Sequence, residues 1–231
     1  MNITVVIKTF LRPAACDAVV RSWIAVAPDL PIIVVDDGGD VSPDLTSYPT
    51  VTHIKTDFDI GVSAGRNIGV EAAKTKYVIV ADDDNGCSAG SDIGGALSQL
   101  VENRLGIVGV GAYWFKESNK VLSITGRSRV AEFTPCDATL NHFIADRELM
   151  PRWDSSLKVA GEHVDYFLEC RRQGVGVAAT PLLDYYYTRR AASKADWQYR
   201  GFRRRSYQCA VKAKWGLRRI GRWVVLPEKA P

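Results

Sequence analysis

The segment YVIVADDDNG, residues 77–86, is the part of this sequence that most directly predicts the fold. It is an apolar, largely β-branched run that ends at three consecutive carboxylates, Asp82, Asp83 and Asp84. A buried strand of a parallel sheet reads as a near-continuous hydrophobic run, and open α/β sheets bind their ligands at the carboxyl ends of such strands. The segment therefore predicts a strand of an α/β sheet with an acidic ligand site at its end.

The spacing of these carboxylates favours a divalent metal. Residues two apart in an extended chain face the same side, so Asp82 and Asp84 can converge while Asp83 turns away. Two carboxylates about 4 Å apart repel each other by about 4 kcal/mol at an effective dielectric of 20, and a bound cation reverses that cost. Oxygen ligands without clustered His or Cys favour Mg²⁺ or Mn²⁺, ions that commonly hold phosphates. The alternative is a solvated acidic turn.

Strand and helix patterns alternate through the first half of the chain. Strands are predicted for ITVVIKT (3–9), PIIVVDD (31–37), TVTHIKT (50–56) and KYVIVADDD (76–84), and helices for 13 to about 27 and for VSAGRNIGVEAAKT (62–75). After Leu105 the pattern changes to shorter extended pieces, with a turn near Ser118 and Asn119, and then to a helix from about Glu162 to Gln173. We expect a Rossmann-like, mostly parallel sheet flanked by helices, followed by a smaller mixed region.

Charge is distributed unevenly and predicts a boundary near residue 188. From Arg189 onward there are thirteen basic residues against two acidic ones, although the whole chain has a net charge of only +4. We therefore expect a body at 1–188 and a basic, aromatic helical tail at 189–231. The change of pattern after Leu105 divides the body into a nucleotide-binding half at 1–104 and an acceptor half at 105–188. The tail could lie on anionic lipid, track a nucleic acid, place Arg189 or Arg190 over a diphosphate, or be a solvated basic face.

Composition and cysteine usage predict a soluble cytoplasmic protein. The chain has 231 residues, 46% of them hydrophobic, no apolar stretch of eighteen residues and no signal-peptide pattern. Its five cysteines are dispersed and form no CxxC pair, which favours reduced thiols over a disulfide framework or structural zinc. A lipid-binding tail would make the protein peripheral at the inner face of a membrane. The sequence lacks a GxxxxGK[ST] loop and a glycine-rich turn after the first strand, which argues against P-loop and dinucleotide-binding enzymes.

Five motifs, in this order, resemble those of family 2 glycosyltransferases of the GT-A fold. They are VVIKTFLRP (5–13), IIVVDDGG (32–39), DIGVSAGRNIGV (59–70), YVIVADDDN (77–85) and GEHVDYFLECRRQG (161–174), and the resemblance covers about residues 3 to 180. It implies transfer of a sugar from a nucleotide diphosphate sugar, with uridine diphosphate (UDP) sugars favoured, to a glycan or lipid-linked acceptor. It also implies that Asp82 and Asp84 form a DxD motif holding Mn²⁺ or Mg²⁺ against the diphosphate. The nucleotide-contacting positions it implies are Thr9, Arg12, Asp37, Arg66, Asp82 and Asp83.

The catalytic base of an inverting transfer is expected in the segment GEHVD, residues 161–165. Such a reaction needs a group that takes the proton of the acceptor hydroxyl as it attacks the anomeric carbon. The resemblance puts His163 where similar enzymes carry the Asp of an ED pair, and Glu162 and Asp165 are the other candidates. A histidine can be a base near neutral pH or a metal ligand. The stretch WDSSLKVAGEH resembles an N-acetylgalactosaminyltransferase-like variant of the motif, and the three candidates stay open.

Three other functions fit parts of the same pattern. A glycosyltransferase acting on nucleic acid would use the basic tail to hold its acceptor. A nucleotidyltransferase would also need a nucleotide fold and a strand-end metal, but would form or break a pyrophosphate bond. A non-catalytic module would bind the sugar nucleotide without turnover. His53 and His142 are expected to be structural.

Overall fold

The computed structural model describes residues 1–187 and 203–225, and a central eight-stranded sheet organises most of them. The strand order is β3-β2-β1-β4-β10-β6-β11-β9. These strands are β1 (Ile3–Thr9), β2 (Ile32–Asp36), β3 (Val51–Lys55), β4 (Tyr77–Asp82), β6 (Ile107–Gly109), β9 (Thr134–Pro135), β10 (His142–Asp146) and β11 (Val177–Ala179). Four of the seven strand pairings are parallel, which confirms the predicted α/β fold with a mostly parallel sheet.

Helices cover both faces of this sheet. They are α1 (Pro13–Val26), α2 (Val62–Ala72), α3 (Ile93–Glu102), α4 (Glu162–Gln173) and α5 (Arg204–Lys214). Successive strand residues point to opposite faces, so Val5 packs into the core beneath α1 and α3 while Val6 packs into the core beneath α2 and α4. Both cores are continuous apolar clusters, which is why β1 and β4 read as unbroken hydrophobic runs.

The sheet brings three strand ends to one edge. In the parallel pairings of β1, Lys8 lies beside Asp82 at the end of β4, and Thr9 lies beside Asp36 at the end of β2. The next strand over, β10, runs antiparallel to β4, with His142 opposite Ala81. Because β4 belongs to the predicted nucleotide-binding half and β10 to the acceptor half, a single sheet crosses the predicted division at residues 104 and 105.

Two small sheets complete the described fold. The strand β5 (Asn85–Cys87) pairs with β12 (Tyr185–Tyr187), and β7 (Ala112–Ser118) and β8 (Val121–Arg127) form an antiparallel hairpin that β13 (Arg219–Val225) extends in parallel. Asn119 and Lys120 have positive φ angles at the tip of the hairpin, which confirms the predicted turn. Among the helices in the described ranges, none is long and apolar enough to cross a bilayer.

The expectation of a helical tail was only partly right. Helix α5 is followed by Gly216 in the left-handed conformation, a common helix end, and the chain then continues as the strand β13. The edge of β8 supplies hydrogen-bonding partners that local sequence cannot reveal, and Ile220 packs there beside Leu122. Residues 188–202 and 226–231 lie outside the described residues, and with them Arg189, Arg190, Trp197, Tyr199 and Phe202.

Helix α3 was not anticipated. It contains two glycines near its start, Gly94 and Gly95, and glycine is a poor helix former. The Asp92 side chain accepts a hydrogen bond from the Gly95 amide at 2.8 Å and so caps the helix, while Ala96 and Leu100 are buried against the sheet. Capping and tertiary packing outweigh the low helix propensity of this segment.

Candidate active site

The carboxyl ends of β1, β2 and β4 open into a cleft, called here the strand-end cleft. Eight residues that the sequence singled out line it: Thr9, Arg12, Asp37, Arg66, Asp82, Asp83, Asp84 and Glu162. They come from five separate stretches of the chain. The structure therefore brings together all the predicted nucleotide- and metal-binding residues and one of the three candidate bases.

The three consecutive aspartates differ in exposure in the alternating way that a strand predicts. The Asp82 and Asp84 side chains are 28% and 18% exposed, whereas Asp83 is 1% exposed. Asp83 accepts a hydrogen bond from the Thr9 hydroxyl at 2.8 Å and forms an ion pair with Arg12. The Arg12 guanidinium also donates to Asp84 at 2.8 Å, so a single cation ties the buried carboxylate to an exposed one.

Arg66 is the central cation of the cleft. Its side chain is almost fully buried, forms an ion pair with Asp82, lies 3.8 Å from a Glu162 oxygen and sits over the Trp153 ring. Burial opposes its charge, but Asp82 and Glu162 outweigh that cost and raise the pKa of Arg66. Burial would likewise raise the pKa of Asp82, yet the Arg66 cation prevails and lowers it. Both groups are therefore charged.

Asp37 is held at the end of β2 by a cation and a backbone amide. The buried Lys8 ammonium forms an ion pair with one carboxylate oxygen, and the Gly61 amide donates to the other at 2.9 Å. Lys8 also donates to the Thr9 carbonyl at 2.6 Å. Each carboxylate oxygen has two lone pairs, so Asp37 keeps the capacity to accept a further hydrogen bond.

The lining of the strand-end cleft suits a divalent cation in two respects. It contains six carboxylates and four Lys or Arg side chains, a formal charge of −2 that would repel a diphosphate. Its donors are carboxylate oxygens, which Mg²⁺ and Mn²⁺ prefer. Within the described ranges, no three His, Cys, Asp or Glu side chains already surround a common point, because Arg12 and Arg66 hold the exposed aspartates. Binding of a metal would require these ion pairs to rearrange.

The segment carrying the candidate bases begins helix α4. Gly161 has a φ of 87°, a conformation that glycine adopts readily, and a Cβ there would lie 2.8 Å from Val211 of α5. Glu162 is the first helical residue and lines the strand-end cleft beside Arg66. The close approach of α5 at Gly161 means that the described part of the tail packs against the start of α4.

His163 is connected to the acidic motif through Asn141. The Asn141 amide nitrogen donates to Asp82 at 3.1 Å, which leaves its carbonyl oxygen to accept from His163 Nδ1 at 2.7 Å. Burial, helped by the Arg66 cation, lowers the pKa of His163 to about 4. The imidazole is therefore neutral at physiological pH, and its ring also packs edge-on against Phe167.

Asp165 does not join the other two candidate bases. Its carboxylate accepts a hydrogen bond from the Trp215 indole at 2.7 Å and forms an ion pair with Lys214 at 2.9 Å. It is 2% exposed and lies outside the linings of the clefts described here. The sequence spacing puts Asp165 on the same helix face as Glu162, but in the structure Asp165 connects α4 to the end of α5.

A second cleft, called here the basic cleft, lies on the other side of Glu162. It has a volume of about 700 Å³ and is bordered by residues 159–164, by Gln208 and Lys212 of α5, and by residues 218–221. Lys212, Arg218 and Arg219 line it, and among the residues that the structure describes Glu162 is the one carboxylate of this lining. Glu162 and Val159 are the residues that line both clefts.

Several residues of the site were missed by sequence reasoning. Lys8 lies within an apolar strand, where a buried lysine is unexpected, and Asn141 precedes a strand that could not be placed beside β4 from sequence alone. The hydrophobic run around Lys8 and the polar pair Asn141 and His142 were the available signals. Lys212, Arg218 and Arg219 were noticed only as part of a basic tail.

Comparison with solved structures shows which fold the chain has. The GalNAc-T7 structure with UDP, GalNAc and Mn²⁺ matches 81% of this chain and 44% of its own, with a TM-score of 0.66 at 15% sequence identity. The S. aureus TarS 1–349 structure matches 91% of this chain and 64% of its own, with a TM-score of 0.58 at 16% identity. The chain therefore has the GT-A fold of these glycosyltransferases.

Sequence comparison gives the family within that class. Residues 4–152 match the glycosyl transferase family 2 model, and the chain belongs to this family. Mus musculus β-1,4 N-acetylgalactosaminyltransferase 2 is 33% identical over 110 residues, which cover 46% of this chain and 21% of the relative. The Rattus norvegicus β-1,4 N-acetylgalactosaminyltransferase 1 is 39% identical over 82 residues, 36% of this chain and 15% of the relative. The chain spans only a fraction of the length of these relatives.

Proposed function

We propose that this protein is an inverting, metal-dependent glycosyltransferase that moves N-acetylgalactosamine from UDP to a hydroxyl of a glycan or lipid-linked acceptor. The observation that carries the proposal is the position of Glu162, which lines both clefts and lies 3.8 Å from the cation holding Asp82. The names of the matched relatives, and the UDP, GalNAc and Mn²⁺ in the GalNAc-T7 structure, support the choice of donor and metal.

The nucleotide would occupy the strand-end cleft. Asp37 can accept the imide proton of a uracil base, and Thr9 lies at the adjacent strand end. Arg12 and Arg66 would contact the phosphates, because guanidinium groups form paired hydrogen bonds with phosphate oxygens. Asp83 would serve the nucleotide indirectly, since its buried carboxylate fixes Arg12.

Asp82 and Asp84 would hold the divalent cation, since they are the two carboxylates of the motif that are exposed to the cleft. A bound Mn²⁺ or Mg²⁺ supplies Lewis-acid neutralisation of the charge that develops on the departing diphosphate. Arg12 and Arg66 would turn from the aspartates toward the phosphates, so the protein would exchange internal ion pairs for contacts with the donor.

Glu162 would act as the general base. The acceptor oxygen forms a bond to the anomeric carbon, its proton moves to the Glu162 carboxylate, and the bond to the diphosphate breaks with its electron pair on the leaving oxygen. His163 would be a positioning residue, because Asn141 occupies its Nδ1 and its ring packs edge-on against Phe167. Asp165 would fix the tail, because Lys214 and Trp215 already occupy its carboxylate.

The test is release of free nucleoside diphosphate. The full chain would be incubated with UDP-N-acetylgalactosamine, Mn²⁺ and a panel of acceptor glycans, with UDP-glucose as the donor control and Glu162→Gln as the protein control. We expect UDP to be released with the N-acetylgalactosamine donor and the new glycoside to have the opposite anomeric configuration. Release of pyrophosphate would instead identify a nucleotidyltransferase, and donor binding without release would identify a binding module.

Anionic membranes remain a predicted partner of the tail, and nucleic acid a less favoured one. The cytoplasmic or inner-membrane location also remains a prediction, which rests on cysteine usage and on the basic segment 189–231. Fractionation of cells that express the full chain would test it.

A further inference from the structure

We infer that the acceptor carries a negatively charged group, a carboxylate or a phosphate, which the basic cleft recognises beside the hydroxyl that is glycosylated. This inference rests on the proposed function because it takes Glu162 as the acceptor-facing base. The basic cleft presents three cations, Lys212, Arg218 and Arg219, against the single carboxylate of Glu162. A neutral sugar gives such a lining no charge to pair with.

The cations of the basic cleft are available to a ligand. No ion pair joins Lys212, Arg218 or Arg219 to any carboxylate in the two described ranges, whereas neighbouring Lys214 is taken by Asp154 and Asp165. Arg218 and Arg219 are exposed and Lys212 is half-buried. Two of the three are arginines, whose planar guanidinium groups match the geometry of carboxylate and phosphate oxygens.

The backbone that carries these cations is fixed to the body of the protein. The Arg218 amide donates to the Lys120 carbonyl at 2.7 Å, and Arg219 begins the strand that pairs in parallel with β8. Between the helix and the strand, Leu217 is buried and its amide donates to the Lys212 carbonyl at 2.8 Å. These contacts fix the main chain that carries the three cations.

The geometry of the two clefts gives the cations a role in selecting the acceptor. Glu162 lines both clefts, so an acceptor hydroxyl near its carboxylate leaves the rest of the acceptor in the basic cleft. A volume of about 700 Å³ is within the range of clefts that bind small organic ligands. Carboxylates of acidic sugars and phosphates of polyol-phosphate chains share the required chemistry.

Binding of matched charged and neutral oligosaccharides tests the inference. The full chain, loaded with UDP and Mn²⁺, would be titrated with a chondroitin tetrasaccharide and its carboxyl-reduced form, and with a glycerol-phosphate trimer and triglycerol. We expect at least one charged probe to bind about ten-fold more tightly than its neutral partner, and the preference to fall as salt is raised. The two pairs separate a carboxylate from a phosphate acceptor.

A triple variant locates the preference in the basic cleft. Lys212→Gln, Arg218→Gln and Arg219→Gln together should reduce the preference to about two-fold or less, since each exposed ion pair contributes modestly. The matched control removes three charges from exposed lysines outside this cleft, Lys55→Gln, Lys74→Gln and Lys116→Gln, and should keep the preference. The single variant Arg219→Gln, with an intermediate loss, provides the same test if the triple variant is unstable.

Defined outcomes would overturn the inference. Equal binding of charged and neutral probes would do so, as would a triple variant that keeps the full preference. Binding of phosphatidylserine vesicles or a single-stranded oligonucleotide through the same three residues, without binding of any charged oligosaccharide, would identify a membrane or nucleic-acid surface instead. Thermal stabilisation by UDP and Mn²⁺ in the same samples separates the two proposals: its loss contradicts the proposed donor site, and its presence with no charge preference contradicts the acceptor inference alone.

Discussion

The strand-end cleft and the basic cleft share Glu162 but have opposite charge. The first is lined by six carboxylates and four cations, and the second by three cations and one carboxylate. In the proposed function, a divalent cation would offset the negative charge of the first cleft so that a diphosphate can bind there. The second needs no metal to attract an anion. The two proposed anionic ligands would therefore be bound differently: the diphosphate through a metal, and the acceptor directly through basic side chains.

Arg66 is what keeps these two regions coupled. Its buried guanidinium lies between Asp82 of the acidic motif and Glu162 at the start of α4. A rearrangement of Arg66 toward a bound diphosphate would change the surroundings of the proposed base. Donor binding and acceptor activation are therefore expected to depend on each other.

Replacement of the shared carboxylate should have the largest effect on this arrangement. Glu162→Gln keeps the shape of the side chain but removes the proton acceptor, so kcat for sugar transfer should fall by about 10³-fold. Steady-state kinetics would measure this, and thermal stabilisation by UDP and Mn²⁺ in the same variant would report how far donor binding depends on Glu162 through Arg66. His163→Gln is the matched neighbour and should cost only about ten-fold. A larger loss for His163→Gln than for Glu162→Gln would mean that the histidine is the base.

Acid should lower the free energy of unfolding of the protein through His163. Its pKa is about 4 in the folded protein and near 6.5 when unfolded, so the unfolded state binds more protons between these values and stability rises with pH across this window. The full difference is about 3 kcal/mol, present above pH 6.5 and lost by pH 4. Denaturant titrations at a series of pH values would give the free energy of unfolding of the wild type and of His163→Gln. The two proteins should differ in how this free energy changes with pH, and only between pH 4 and 6.5. A parallel dependence in both proteins would contradict the burial of a neutral His163.

A substitution at Asp84 tests the proposed metal site of the strand-end cleft. Asp84→Asn should remove the part of the UDP stabilisation that requires Mn²⁺, which at a ligand concentration one hundred times Kd is about 2.7 kcal/mol. Thermal denaturation with UDP, with and without Mn²⁺, would measure it. Asp83→Asn is the contrasting variant, because its buried carboxylate holds Thr9 and Arg12 and its loss should destabilise the protein whether or not Mn²⁺ is present. Mn²⁺-dependent stabilisation that persists in Asp84→Asn would remove this residue from the metal site.

The basic cleft depends on the contacts that attach the described part of the tail to α4. Weakening these contacts should have the smallest effect of the four changes. Asp165→Asn weakens the contacts with Lys214 and Trp215 and should lower the free energy of unfolding by about 1–2 kcal/mol, because Lys214 is partly solvated. Urea denaturation would measure this. Trp215→Phe removes only the indole donor and should cost less. Stabilisation by UDP and Mn²⁺ should survive both changes, and its loss would indicate that Asp165 belongs to the donor site.

Local patterns in the sequence were sufficient to predict the helices and strands of the parallel half of the fold. Helix α1 and strand β4 lie where periodicity put them, and α4 begins at Glu162 as expected. The alternation of exposure across Asp82, Asp83 and Asp84 also follows from strand geometry alone. Strand β13 was missed because its pairing with β8 depends on residues distant in sequence. Helix α3 was missed because its two glycines lower its helix propensity, which the Asp92 cap and the burial of Ala96 and Leu100 against the sheet outweigh.

The alternating α/β fold, the acidic strand end and the carboxylate at the start of α4 could be predicted from local sequence, because they follow from side-chain periodicity over a few residues. Long-range packing is what joins Asn141 to both His163 and Asp82, turns Asp165 to the tail, and places Lys212, Arg218 and Arg219 in the same cleft lining as Glu162. The physical reason is distance along the chain: these contacts join segments separated by tens of residues, and the packing of the whole core sets their geometry.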